Sequence, residues 1–401
     1  MVANPGKLTP MSASKDSLRI AALTATFPPY YAGAGNTAYH QSAGLAERGH
    51  DVTVLTATYP GELDDPEDVT VVRLDPLLRL GNAPLLHKLP SLLTGFDVIN
   101  LYQPFIFGSE LVAATAKLRK LPLVSTMLNA LLADGLRGHL FNGYSRTVLP
   151  LTLRVSSIVA GLTEGHAYSI PQVAHELSRH SGKLRVVPSA VDTDQFSPGI
   201  ADPLFREQWG IPADATVVML CAVLDEAHRF KRADLAIAAT AEVDDLHLMI
   251  VGQGPLAAEL RKQAAEIGVS DRVHLTGFQV DLVECYRATD ALLICSDKLE
   301  SFGLVQVEAM SCERPVIVCD LPGVRDVSIS GTHGFHVIPG DRADLVAKLR
   351  AFCSLTADER REMGLAARRH VLENFTWKHS VDALELALRA AVDSHEQLSR
   401  S

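Results

Sequence analysis

Glu300-Ser301-Phe302-Gly303-Leu304-Val305-Gln306-Val307-Glu308 is the stretch from which the rest of the chain can be read. Ser301, Phe302 and Gly303 read as a turn that opens a helix. Glu308 then falls inside that helix, among Leu304, Val305, Val307, Ala309 and Met310. A carboxylate taken out of water is costly unless something hydrogen-bonds to it, so a ligand or a matching polar group must supply the partner. Arg314 is one such group. Glu300 stands before the helix, where a carboxylate complements the helix dipole or faces a ligand. The free N–H groups of the helix start suit an anion.

Outward from this stretch, short β-branched runs alternate with helical patterns. In the first half strands are expected at Leu18–Ala25, Asp51–Thr56, Thr70–Leu74, Val98–Leu101, Leu123–Thr126, Ser157–Ala160 and Leu184–Pro188, with helices such as Thr37–Arg48 and Ser109–Leu118. In the second half strands are expected at Val217–Val223, Leu246–Val251, Val273–Thr276, Ala291–Ser296, Pro315–Cys319 and Gly334–Ile338. The helices between them include Asp234–Glu242, Pro255–Ile267, Asp281–Ala288, Leu304–Met310 and Ala343–Phe352. Such alternation predicts parallel sheets covered on both faces. At 401 residues the chain exceeds one ordinary core. The polar, proline-bearing stretch Pro188–Pro198 reads as the break between two α/β domains.

The expected organisation is a disordered leader over 1–17, an N-terminal Rossmann-like domain over 18–190 and a C-terminal one over 191–376. A final helix over 377–401 packs back on the first domain. A net charge of −10, with histidines neutral, argues against a nucleic-acid binder that works by neutralising phosphates. The six cysteines form no Cys-x-x-Cys pair and read as buried free thiols of a reducing, cytoplasmic setting. Asp192-Thr193-Asp194 has the form of a metal motif, but its place in the linker makes it a turn. No metal site is expected.

Three further segments carry chemistry. Gly33-Ala34-Gly35 follows the first strand and precedes a helix, as a loop that lets backbone N–H groups approach an anion. The spacing lacks the third glycine of a dinucleotide fingerprint. His228-Arg229-Phe230-Lys231-Arg232 follows the first strand of the second half. It reads as a diphosphate clamp, Lys231 a point charge and Arg229 a fork, or as a solvated helix start. Gly252-Gln253-Gly254-Pro255 is a tight strand-to-helix turn that also admits a ligand to the backbone.

Together these pieces resemble the family 4 retaining glycosyltransferases of GT-B architecture (glycosyl transferases group 1), built from two facing doubly wound domains. The resemblance runs from about Leu18 to Val392. It rests on Phe27-Pro28-Pro29 with Gly33–Gly35, Leu45–Val54, Val186–Phe196, Lys231, Val251–Pro255, Glu300–Met310, Pro315–Ile317 and Leu321–Val327. It implies transfer of a sugar from a nucleotide-diphosphate sugar with retention at the anomeric carbon. Lys231 and Glu300 are the implied catalytic pair. Implied donor contacts are Gly33, Ala34, Gly35, His228, Arg229, Gly252, Gly254, Phe278, Ser301, Phe302, Gly303 and Leu304, with Glu308 on the ribose. Tyr102, Leu128 and Asn129 would lie on the acceptor side. No cofactor and no metal is implied, because a cation and a helix dipole can stabilise the leaving group.

The chain departs from the family at Leu128, where His is common, and at Val223, where Arg is common; His228 or Arg229 could stand in for the latter. Ser189-Ala190 and Glu313 are further departures. These bear on the acceptor more than on the donor. They leave open a catalytically silent GT-B protein that binds nucleotide sugar without turnover. A hydrolase using Glu300 and Glu308 as a carboxylate pair is a third reading. The acceptor is unspecified: glycan, lipid carrier or natural product. Apolar segments with scattered basic residues at Leu85–Leu93 and Leu136–Leu153 leave open a peripheral contact with the inner face of a membrane, beside the alternative of ordinary core helices.

Overall fold

The structure, a computed structural model of the chain, describes residues 17–29, 33–59, 64–81, 83–129, 135–298 and 300–400, without the side chains of 135–140 and 398–400. Of the expected leader only Ser17 lies among the described residues. Every expected strand is present, within two residues of its expected ends.

The strands form two doubly wound sheets. The first has the order Thr70–Leu74, Asp51–Ala57, Arg19–Leu23, Val98–Gln103, Leu123–Met127, Ile158–Gly161, Leu184–Val186. The second runs Val273–Gly277, Leu246–Val251, Thr216–Cys221, Ala291–Ile294, Val316–Cys319, Gly334–Val337. In each, the first strand in sequence is the third from one edge and the chain winds outward from it both ways, so the order reverses beside it. The pairing is parallel on both sides of Arg19–Leu23 and of Thr216–Cys221. Parallel strands need crossover helices, and these cover the faces. The central strands are accordingly apolar on both faces: Val217, Val218, Met219 and Leu220 are all buried.

By contacts the chain divides into two compact units. One comprises Met1–Thr126, Leu151–Val159 and Leu384–Ser401, and the other Met127–Pro150 and Ala160–Ala383. The core of the first packs Ala21, Leu23, Leu55, Ile99, Leu101, Phe105 and Val112. The core of the second packs Val218, Leu220, Leu248, Ile250, Leu293, Ile317 and Phe352. The C-terminal helix Trp377–Arg400 returns to the N-terminal half as expected. Leu384, Ala387, Leu388 and Ala391 are buried. Glu385 accepts from Arg48 at 2.9 Å, and its other oxygen lies 3.3 Å from His50.

One expectation changes. The helix expected from Thr37 begins at Gly33 and runs to Glu47. Gly33, Ala34 and Gly35 are therefore its first turn and not a loop. A side chain at Gly35 would come within 2.9 Å of the Thr26 carbonyl oxygen, so close helix–backbone packing accounts for that glycine. The sequence reading also omitted a short hairpin, Leu78–Leu80 with Ala83–Leu85. Pro188–Pro198 contains no helix and meets the chain again at Val191, which bridges to Thr376. Asp192 makes a turn by accepting from the N–H groups of Asp194 and Gln195, each at 3.0 Å. All six cysteines are free thiols. Among the described residues, no helix is long and apolar enough to cross a membrane.

Candidate active site at the switch point of the second sheet

In open α/β sheets ligands bind beyond the carboxyl ends of the strands, where the strand order reverses. In the second sheet that point lies between Thr216–Cys221 and Ala291–Ile294. The segments leaving these strands carry Lys231 and Glu300, and they are laced together.

The segment after Thr216–Cys221 turns at Asp225, whose carboxylate caps a 3-10 turn, Glu226–Lys231, by accepting from the His228 N–H at 2.9 Å. Arg232 follows in the left-handed region at φ +56°, a conformation that needs support from its surroundings. Its guanidinium is tied to Asp234 at 3.0 Å and to Asp297 at 3.1 Å. The Asp297 N–H donates to the Phe230 carbonyl at 3.0 Å. The Cys295 thiol donates to the carbonyls of Lys231 and Arg232, at 3.4 and 3.3 Å. Held from both sides, the Lys231 ammonium donates to Glu300 Oε2, and the Ser296 hydroxyl donates to the same oxygen at 3.2 Å. The Lys231 side chain is 21% exposed and that of Glu300 11%. The two groups that were expected to act together are an ion pair at the mouth of the sheet.

Beyond Glu300 the chain turns at Gly303, at φ +73°, into the helix Leu304–Ser311. No side chain caps its N-terminus. Instead, the buried Gln306 amide donates backwards to the Phe302 carbonyl and across to the Val324 carbonyl, the latter at 3.2 Å. The turn is thereby fixed while the first N–H groups of the helix keep no side-chain acceptor. Gly323, at φ +97°, backs onto Ser301: a side chain there would stand 2.0 Å from the Ser301 carbonyl oxygen. The Ser301 hydroxyl donates to Asn129 Oδ1 at 2.7 Å, which brings an acceptor-side candidate to the helix start.

Glu308 lies on the same helix and is half-buried. Its partner is Tyr286, whose hydroxyl donates to Oε2 at 2.7 Å. No ion pair joins Glu308 to Arg314 among the described residues. Burial raises the pKa of the Glu308 carboxyl, and the tyrosine hydrogen bond opposes that rise. Tyr286 itself is fully buried on Leu282–Arg287, and burial followed by the Glu308 charge pushes its phenol well above the ordinary value.

Other expected site residues are placed differently. The Arg229 guanidinium is engaged by two carboxylates of its own chain, Glu226 at 2.9 Å and Glu259 at 2.9 Å. His228 lies 2.7 Å from Asp225. Neither bonds to Glu300 among the described residues, but both line, with Lys231, Leu224, Asp234, Leu256, Glu259 and Leu260, one small cavity. A side chain at Gly252 would meet the Ala222 carbonyl oxygen at 1.8 Å, and one at Gly254 the Leu224 carbonyl oxygen at 2.1 Å. These glycines thus let the turn pass against the segment leading to Lys231. Phe278 and Val223 are exposed, at 65% and 52%. Leu128 and Tyr102 are buried, and the Tyr102 hydroxyl donates to Gln41 at 2.9 Å. Among the described residues, no group of three or more His, Cys, Asp or Glu side chains could hold a metal ion.

The sequence reading missed Tyr286, Ser296, Asp297 and Gln306. Only Gln306 carried a local signal, as a polar residue in the apolar run between Val305 and Val307.

Comparison with known proteins places this geometry in a family. The chain matches Glycosyltransferase Family 4 over residues 31–195 and Glycosyl transferases group 1 over residues 202–370. It is 32% identical to D-inositol 3-phosphate glycosyltransferase of Geodermatophilus obscurus over 241 residues, covering 55% of this chain and 51% of that protein. It is 32% identical to the protein of that name from Mycolicibacterium smegmatis over 225 residues, 53% of this chain and 49% of that one. The chain thus spans about half the length of the curated relatives it matches. Among solved structures, a glycosyltransferase of Rickettsia africae superposes with a TM-score of 0.74 at 15% identity, covering 94% of this chain and 99% of that one. Anabaena HepE in complex with UDP does so with a TM-score of 0.74 at 19% identity, covering 93% and 100%. The two family matches, which together span residues 31–195 and 202–370, mean that the chain belongs to the group 1, family 4 glycosyltransferases of GT-B architecture.

Proposed function

We propose that the protein transfers a sugar from a nucleotide-diphosphate sugar to an acceptor hydroxyl, with retention at the anomeric carbon. The observation that carries this reading is the Lys231–Glu300 pair beside the uncapped helix start at Gly303. An ammonium and free helix N–H groups are what a departing nucleoside diphosphate needs, because its charge grows as the glycosidic bond breaks. Glu300, displaced from Lys231 by the diphosphate, is left as an acceptor for sugar hydroxyls. Glu308 takes the ribose. Deprotonation of the acceptor falls to the leaving phosphate, and the reaction proceeds without metal. That UDP occupies the Anabaena neighbour supports a nucleotide-sugar donor. The name of the curated relatives makes a phosphorylated cyclitol the first acceptor to try. Glycans, lipid carriers and natural products follow. The reaction is placed in the cytoplasm, with peripheral membrane contact if the acceptor is lipid-linked.

The test is incubation with uridine-, guanosine- and deoxythymidine-diphosphate sugars and a panel of these acceptors, with and without EDTA. Release of nucleoside diphosphate from one donor, dependent on acceptor and unaffected by EDTA, is expected, and the product anomer must match the donor. Inversion of the anomer sinks the retaining mechanism, and loss of activity in EDTA sinks metal independence. A second reading, a protein that binds donor without turnover, is favoured by one observation: Leu128 is apolar and buried where relatives are expected to carry His. Donor binding with no release across the whole panel is its signature.

A further inference from the structure

The proposed chemistry uses Glu308 but does not say what keeps a half-buried carboxylate ionised and oriented. Tyr286 does not follow from the sequence reading or from the proposed mechanism, yet it is the group that touches Glu308. Its ring is fully buried, with Phe196 edge-on at 6.1 Å, so the phenol cannot swing away. Its hydroxyl donates to Oε2 of Glu308 at 2.7 Å. A phenol has one proton to give, and here it is committed to one carboxylate oxygen. Oε1 takes no hydrogen bond from the described residues. A carboxylate with one oxygen tethered has a fixed plane, and its free oxygen has a fixed lone-pair direction. Oε1 and the remaining lone pair of Oε2 then offer two acceptor directions in one fixed plane, which suits two neighbouring hydroxyls and leaves one direction unused by a single hydroxyl.

We propose that Tyr286 is a positioning residue that fixes Glu308 as a reader of the nucleoside's vicinal diol, and that this pair makes the site selective for ribonucleotides over 2′-deoxyribonucleotides. The inference rests on the assignment of Glu308 to the ribose. The selectivity follows from the cost of leaving a buried acceptor unpaired, which exceeds the gain from the same bond when it is made. An untethered carboxylate rotates to satisfy itself and loses the distinction.

Other titratable groups do not confuse the assignment. Those facing Glu308 are Tyr286, Cys221 at the end of its strand and Cys312 after its own helix. Burial pushes both thiols up to about 12, so they stay neutral through the range in which a carboxylate titrates. Removing the tyrosine hydroxyl removes the one hydrogen bond that lowers the Glu308 pKa.

The experiment is calorimetric titration of the whole chain with UDP, GDP and ADP, and of the nucleotide that binds against its 2′-deoxy counterpart, in wild type, Tyr286→Phe, Glu308→Gln and the double variant. Wild type is expected to prefer the ribonucleotide by about tenfold or more, the worth of one hydrogen bond to a charged group. Tyr286→Phe should keep the fold, because the ring remains, and should reduce the preference to about twofold or less. It should also move the acid limb of ribonucleotide binding to higher pH. In the Glu308→Gln background the tyrosine substitution should not change the ratio further. A purely structural tyrosine would weaken both nucleotides equally with the ratio and pH profile intact, and that result overturns the proposal. So does a wild type that binds both sugars alike. A wild type that binds none of the nucleotides overturns the ribose assignment along with it, which separates the two failures.

Discussion

The two sheets wind alike and have unlike mouths. Each puts its first strand in the interior, third from one edge, and reverses order beside it. Beyond Arg19–Leu23 the chain enters a helix whose first turn is Gly33-Ala34-Gly35, and the nearby polar groups, Tyr102 and Gln41, are buried against each other. Beyond Thr216–Cys221 the chain spends a whole turn on charged residues and fastens them to the loop of the neighbouring strand. Topology supplies a crevice in both places, and in the second, among the described residues, a cation, a carboxylate and an uncapped helix start meet at the switch point. Winding order is therefore a guide to where a ligand can sit, and side chains decide whether one does.

The contrast can be broken most severely at Lys231. Lys231→Ala should lower kcat/KM for nucleotide-sugar turnover by about 100- to 1000-fold, the scale of one lost oxyanion-stabilising donor. Substitution of Ala34 in the first sheet's helix should cost far less in the same assay. Comparable losses at both positions would make the two mouths chemical equals.

The glycines give the next effect. Gly254 has φ +153° and the Leu224 carbonyl oxygen 2.1 Å from where a methyl would stand. Gly35 has helical backbone and a 2.9 Å approach to Thr26. Gly254→Ala should cost about 3 kcal/mol by denaturant titration, because both strain and overlap apply. Gly35→Ala should cost about 1 kcal/mol, since better helix propensity offsets part of the clash. The reverse order would mean that the first helix start is the more tightly built.

Acid is a third probe. Burial holds His166 and His333 neutral, with pKa values lowered from 6.5 to about 4. Their unfolded forms bind protons first as pH falls. Stability is therefore full above pH 6.5, declines between 6.5 and about 4, and levels off below. The expected loss is on the order of 1 kcal/mol per pH unit or less for each histidine, and replacing His333 with Gln should flatten the decline. Both residues lie in the second compact unit, whereas His50 of the first lies 3.3 Å from Glu385. A decline that persists unchanged in His333→Gln and His166→Gln would assign acid sensitivity elsewhere.

Legibility followed the range of the interaction. Strands were readable because buried parallel strands are continuous apolar, β-branched runs, as in Thr216–Cys221. Lys231, Ser301–Gly303 and Glu308 drew attention in the sequence because a charge or a turn residue stood out against its neighbours, and the fold brings Lys231 and the segment before Gly303 together. The first helix was started late because Gly33 and Gly35 are poor helix formers, and tertiary packing against Thr26 outweighed their propensity. Arg229 was read as a phosphate fork. The spacing Glu226 to Arg229 already offered it a local partner, but Glu259 lies 30 residues away and leaves no local trace. Tyr286 was invisible for the same reason: 22 residues separate it from Glu308, and a buried tyrosine looks like any other core aromatic until the fold aims its hydroxyl.

The lacing of the two loops has a consequence for how such a site can diversify. Phe230 to Asp297, Arg232 to Asp297 and Lys231 to Glu300 make residues 226–232, 295–298 and Glu300 a single mechanical part. An insertion in either loop would have to be matched in the other, so this part of the crevice is closed to piecemeal change. The edge strand of the same sheet, Val273–Gly277, is followed by Phe278 and Val280, which are 65% and 92% exposed. Phe278 and Val280 can be exchanged one at a time. Change is tolerated most readily there, on a margin that can vary while the laced centre stays fixed.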